Sequence, residues 1–307
     1  MSTITVSDFP LEVASPAQRL RRLAAAVRVH FCWWGVHKTL TAQQKEEVGA
    51  AYAADARFLT AGKKLGDVRH EAFRALTSLR TRVVNYWRGL TLPYVEAGVR
   101  LIRQSDIDAF VHTMAGFQGE LTEAEAALNA VYSEIKADAR RRLGRLHNPS
   151  DYPPEVRGLF GVEWDFPSVE PPSYLMQLNP AIYQQEQERV SHRFEQAVQL
   201  AEQGFISEFA RIVAHLTEQL TGGPDRERQV FRDSALTNLT EFFERFKHLN
   251  VNSSQELDRL VEQAQGLVRG VTPQALRDND GLRQHVTARM TQMQGQLEGM
   301  LVERPRR

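Results

Sequence analysis

The sequence predicts a mainly α chain: an elongated bundle of long, coiled-coil-like helices with a small β hairpin. Three observations lead there. From Ile107, apolar residues recur at Phe110, Met114, Phe117, Leu121, Ala124, Leu128, Val131 and Ile135 in steps of three and four. That is an a/d seam of about four heptads, with Glu120, Glu123, Glu125 and Lys136 off it. A second stripe runs through Val190, Phe194, Val198, Ala201, Phe205, Phe209, Ile212, Leu216 and Leu220, advancing roughly 3.75 residues per step. Between residues 89 and 103 the pattern changes to short β-prone runs.

A seam as long as that over 105–146 needs a partner of similar length, and 180–221 is the candidate, returning antiparallel. The layout expected is a single elongated domain over 1–307. It comprises N-terminal helices over 15–88, a hairpin over 89–104, the long helical pair within 105–221 with a proline-rich excursion at 147–180, and C-terminal helices over 225–303.

Residues 1–14 read as an arm or edge strand. Ser15, Pro16 and Gln18 then form a capping box with proline at the first helical position. The helix they start carries Leu20, Leu23, Val27, Phe31 and Trp34 on one face. Thr41 with Gln44 opens another, carrying Val48, Tyr52 and Leu59 to Gly62. Asp67 caps a third, which turns Phe73, Leu76, Leu79, Val83 and Trp87 inward. Gly89 to Tyr94 and Gly98 to Arg103 read as a hairpin with Pro93 on an edge.

Ser105 and Asp108 mark the start of the seam helix. Within it, Gly116 and Gly119 mark either close approach of a neighbour, a local bend, or ordinary tolerance of glycine. Arg140, Arg141, Arg142 and Arg145 suit the C-terminal end of that helix. Seven prolines between 147 and 180 exclude a continuous helix, and Gly161 to Phe166 alternates as a strand that adds to the hairpin. Gly222-Gly223-Pro224 stops the second long helix. Three shorter helices follow: one through Val230, Phe231 and Phe242, one opened by a Ser253–Glu256 box and stopped at Gly270, and one from Asn279.

Lys+Arg and Asp+Glu both number 38, so the net charge is zero, which argues against a polyanion-coating protein but leaves room for a local basic face. Cys32 is the single cysteine, so no intrachain disulfide can form and a reducing compartment fits. No secretory leader or spanning stretch is evident, and a cytoplasmic location without a membrane partner is expected. His30 and His37 flank Cys32 and suggest a metal, but no second cluster supplies four ligands, and a packed aromatic helix end explains the same residues. The loop 61–66 has glycines and lysines but lacks the first glycine and the Lys-Ser/Thr order of a phosphate loop. No catalytic, cofactor or metal residues are assigned, and a non-enzyme is expected.

Phe58 with Lys63-Lys64-Leu65, then Gly89 through Pro93, Gly98-Val99-Arg100-Leu101 and the seam helix resemble an uncharacterised helical family of bacteria, phages and mobile elements. The resemblance covers about residues 50–220. It implies a helical protein encoded near MoxR-type AAA+ ATPases and von Willebrand A-domain proteins, and it brings no catalytic residues.

The function these observations support is a scaffold or adaptor for protein assembly, with an AAA+ ATPase or a second copy as partner. Tyr94, Trp164 and Phe166 are candidate aromatic anchors and Arg100 and Arg103 a polar rim. Equally, those aromatics can plug the end of the helical pair. The alternative is an accessory protein binding nucleic acid through Lys63, Lys64, Arg80, Arg82 and Arg88.

Overall fold

The computed structural model describes residues 14–221, 234–251 and 254–302. The expected arm before residue 14, the Gly222–Pro224 stop, Val230, Phe231, Ser253 and residues 303–307 lie outside them. The described residues are mainly α, with ten α-helices. These are α1 (Pro16–Leu23), α2 (Ala42–Ala51), α3 (Glu71–Leu90), α4 (Ile107–Leu143), α5 (Tyr174–Leu178), α6 (Pro180–Thr221), α7 (Ser234–Leu249), α8 (Gln255–Val268), α9 (Pro273–Asp278) and α10 (Asp280–Val302). The strands are β1 (Ala24–Trp33), β2 (His37–Thr39), β3 (Gly62–Lys64), β4 (Thr91–Pro93), β5 (Val99–Arg103) and β6 (Phe160–Asp165).

The chain forms two compact units. One gathers the chain up to Ala26, Leu90–Gln104 and everything from Pro167 on; the other holds Val27–Gly89 and Ser105–Phe166. α4 belongs to the second unit and α6 to the first. Within its own unit α6 packs most extensively on α10, then on α1 and α7. The periodicity shows that each long helix has a buried stripe, but carries no information on which helix covers it.

In the first unit, α6 buries Phe194, Phe205, Phe209, Val213 and Leu216 among Leu20, Leu239, Phe242, Phe246, Met290 and Leu297. Phe209 stacks on Phe242 at 5.0 Å between centroids, and Phe205 meets Phe246 edge-on at 5.0 Å. The predicted hairpin is present, with Thr91, Leu92 and Pro93 opposite Ile102, Leu101 and Arg100. Its turn ends at Gly98, whose φ of 78° suits glycine. The Ser15–Gln18 box caps α1 as read from sequence. Ser254 caps α8 by accepting from Leu257 N, and Gly270 follows it with φ 74°.

In the second unit, several expectations fail. The helix expected through Trp34 ends at Leu23, and Ala24–Trp33 is strand β1. Val27, Val29, Phe31 and Trp33 alternate with Arg28, His30 and Cys32, and this period of two prevails because β6 supplies a partner strand. β6 pairs antiparallel with β1, from Arg28 opposite Asp165 to Trp33 opposite Phe160, so the strand it joins within this unit is β1. Thr41 and Gln44 do cap α2, but that helix stops at Ala51 and leaves Tyr52 exposed. α3 buries the five residues read from its periodicity but starts at Glu71; Asp67 holds the turn before it, accepting from Arg69 N.

α4 begins at Ile107 without a side-chain cap, and Ser105 Oγ instead meets Asp106 Oδ1 at 3.2 Å. Its buried positions are Phe110, Met114, Phe117, Leu121, Leu128, Tyr132, Ile135 and Ala139. The heptad seam passes through Val131, whereas the buried stripe has moved to Tyr132 and advances about 3.6 residues per step, the period of a straight helix. Tyr132 donates to Pro153 O at 3.1 Å, and burial pushes its phenol up to about 12. Beside the stripe, three polar side chains of α4 hold the proline-rich excursion by its main chain. Gln118 Nε2 donates to Val162 O at 2.9 Å, Glu125 accepts from the amides of Leu159 and Phe160 at 3.1 and 3.2 Å, and Asn129 accepts from Val156 N at 3.1 Å.

A buried ion pair holds the β2–β3 ribbon. Asp151, its side chain 4% exposed, receives Lys63 at 2.6 Å and Lys38 at 2.5 Å, while Lys63 Nζ also donates to Leu146 O at 2.6 Å. Burial pushes the Asp151 carboxyl up, but hydrogen bonds and charge from the two lysines outweigh it and hold it below the ordinary carboxylate value.

Three predictions follow from this packing. Leu121→Ala should cost about 2–5 kcal/mol by leaving a cavity. Glu125→Ala should cost about 1–3 kcal/mol by stranding two amides, and exposed Glu123→Ala less than about 0.5 kcal/mol; denaturant midpoints in that order are the check. Gly116 and Gly119 have nothing within 4 Å of an added Cβ, which answers the sequence question in favour of tolerance. Each glycine-to-alanine change should therefore raise stability by about 0.5–1 kcal/mol, and a loss in thermal unfolding would contradict this. A folded-state carboxyl pKa below the unfolded value of about 4 stabilises above that pH and loses its contribution as pH falls through the folded value. Asp151→Asn should lack that acid-dependent loss and, at pH 7, be less stable by about 3 kcal/mol or more because Lys63 stays buried without its counter-charge.

Candidate binding face on α3

α3 carries Arg74, Arg80, Arg82 and Arg88 against a single acid, Glu71. The buried face is set by Phe73, Leu76, Leu79, Val83 and Trp87, which pushes the arginines to the flanks and the solvent side. Arg80 lies on the flank nearest β1. Its guanidinium carbon sits 5.2 Å from the Phe31 ring centre and 5.3 Å from that of Trp33. Those rings meet edge-on at 6.3 Å, and Trp33 meets Phe160 edge-on at 5.1 Å. The sequence reading of 24–34 as a helix hid this arrangement, because only strand geometry puts Phe31 and Trp33 side by side on one face.

Arg80, Arg74 and Arg88 form no ion pair among the described residues. Helical geometry places the three on one side of α3, spread over about 20 Å of its axis. Thr77 and Thr81 lie between them, each donating its hydroxyl to the carbonyl four residues back. On the opposite flank Arg82 is engaged, with Glu120 at 2.5 and 3.1 Å and the Phe117 ring at 5.3 Å.

Of the residues read as basic contacts, Lys63 is buried on Asp151 and only Lys64 of that pair is exposed. Lys64 lines an open cleft of about 500 Å³ with Asp67, Arg69, Asp138 and Arg142. Asp138 takes Arg141 and Arg142 there, and Asp67 takes Arg69 and Arg142. The Asp67 carboxyl is held below its usual value chiefly by the Arg69 amide.

The residues read as anchors and rim fall in both units. In the first, Tyr94 is buried with its ring 5.7 Å from Phe194, and burial pushes its phenol pKa up. Arg100 donates to the Thr91 hydroxyl and carbonyl, both at 2.7 Å, and Arg103 donates to Asn250 O at 3.3 Å. In the second, Trp164 and Phe166 set their rings 6.3 and 6.4 Å from Phe110. The Val162 carbonyl of β6 is taken by Gln118.

On the outer face of β1, Arg28 grips Asp165 through two hydrogen bonds of 3.1 and 2.8 Å, and His30 Nε2 lies 3.2 Å from the same carboxylate. The Arg28 hydrogen bonds hold the Asp165 carboxyl below its usual value. Among the described residues no group of three His, Cys, Asp or Glu side chains is placed to hold a metal ion. No described helix is long and apolar enough to cross a membrane.

What the α3 face offers chemically is a fixed, forked donor edge beside half-buried aromatic surface. Comparison with protein-family models, curated proteins and solved structures returns no match, so the functional argument rests on this chain's own residues.

Proposed function

We propose that this chain is a non-enzymatic adaptor for protein assembly and that the arginine side of α3 takes an acidic segment of its partner. The observation that carries the reading is Arg80, stacked on Phe31 and Trp33 with no carboxylate of its own among the described residues. Stacking holds the guanidinium in place before any partner arrives, so less side-chain entropy is lost when a carboxylate docks on its free edge. Arginine and tryptophan are the side chains on which interface energy concentrates. Arg74 and Arg88 extend the positive potential along the helix, which steers an acidic partner. Exposed Tyr52 and Phe58, in the same unit, add apolar surface of the kind interfaces use. An AAA+ ATPase, the partner class implied by the family resemblance, is a candidate.

A second reading has its own support: four arginines against one acid on a single helix also suit a phosphate backbone. Fluorescence anisotropy separates the two, using a labelled glutamate-rich peptide and a labelled single-stranded oligonucleotide across a salt series. The adaptor reading expects the peptide to bind, Arg80→Ala to weaken it about tenfold and Arg80→Lys to restore little, with folding unchanged by circular dichroism. Tighter oligonucleotide binding with a steep salt slope that falls by about one in Arg80→Ala would transfer the assignment to nucleic acid. If neither probe binds, the face has no such role.

A further inference from the structure

We propose that the turn joining α5 to α6 is a self-association surface, docking on the same turn of a second copy. From Pro171 to Gln185 the chain holds no charged residue, although a quarter of all its residues are charged. Tyr174, Met176, Leu178 and Ile182 are 58%, 54%, 77% and 45% exposed. α6 has no buried residue before Val190, so its first ten residues, about 15 Å of helix, contribute none to the core of their own unit. Tyr174 and Leu178 lie one turn apart on the same side of α5, and none of the four exposed side chains belongs to the core of the unit.

The turn is built as a rigid object. Asn179 N donates to Leu175 O at 2.8 Å, closing α5, and Asn179 Oδ1 accepts from Ile182 N at 3.2 Å, opening α6. α5 packs on α6, and Gln187 Nε2 donates to the Tyr183 hydroxyl at 3.1 Å. Docking here orders little that is not already ordered.

Charge favours a second copy as occupant. A two-fold contact sets each patch against itself, so any net charge in it opposes its own image. The patch has none, and the nearest charge on each side is paired internally: Glu170 with Arg21 at 2.5 Å and Glu186 with Arg189 at 2.5 Å. The arginine side of α3 fails the same test. With four large side chains, the contact is smaller than the ~800 Å² per partner of a standard interface, which sets it in the weak, concentration-dependent class.

Light scattering after gel filtration tests this in the full chain from about 1 to about 200 µM, the range in which weak interfaces fill. The expected mass rises from 34.9 kDa toward twice that. Leu178→Glu with Ile182→Glu should hold it at 34.9 kDa while circular dichroism and thermal unfolding stay unchanged, since both residues are exposed. As a second readout, Leu178→Cys in a Cys32→Ser background should form a disulfide-linked dimer on mild oxidation. A mass that stays monomeric throughout, or a double-glutamate variant that associates like the parent chain, overturns the proposal. Neither result bears on the α3 face, which the peptide and oligonucleotide measurements test separately.

Discussion

The second unit depends on how the main chain of 156–162 is satisfied. This segment of the excursion lies outside any helix and has no helical ladder of its own, yet its amides and carbonyls must find partners once buried. Gln118, Glu125 and Asn129 supply them from one side of α4. That fixes β6, and β6 in turn fixes β1 in antiparallel register. With β1 held as a strand, Phe31 and Trp33 share a face, and Arg80 finds both rings at about 5 Å. The exposed donor edge on α3 thus descends, step by step, from three polar residues on a helix otherwise noticed for its apolar seam.

Much of this was legible locally. The capping boxes at Ser15 and Thr41, the five inward residues of α3, the 91–103 hairpin and the extent of α6 all follow from spacing within a few residues. β1 was not legible, because Leu20, Leu23, Val27, Phe31 and Trp34 satisfy a helical period while Val27, Val29, Phe31 and Trp33 satisfy a strand period. The deciding fact is a partner more than a hundred residues later in the chain. Of the heptad positions read in α4, Ala124 and Val131 are only half-buried and Tyr132 is buried beside the latter, while Ile135 is buried as read. The Arg80 site needed β1 to be right first. Lys63 read as an exposed cation because its counter-charge, Asp151, lies 88 positions on.

The zero net charge conceals strong local segregation. α3 is nearly all positive among its charges, the turn before α6 has none, and the acid of Asp151 is enclosed by two lysines. Averaged over the chain these differences vanish, which is why composition restricts the partner class so little. Their placement separates the face proposed for an acidic partner from the one proposed for a second copy.

The order in which the chain is made has its own consequence. Everything in the unit that contains α3 and α4 has been synthesised by Phe166, so it can close while the remainder is still being translated. The other unit cannot. Its core joins α1, made first, to α10, made last, through α6. Leu20 and its neighbours must therefore wait for α6, and the stripe of α6 must wait for residues near 290. During that interval the first helix and the apolar stripe of α6 are the surfaces on which chaperones would act.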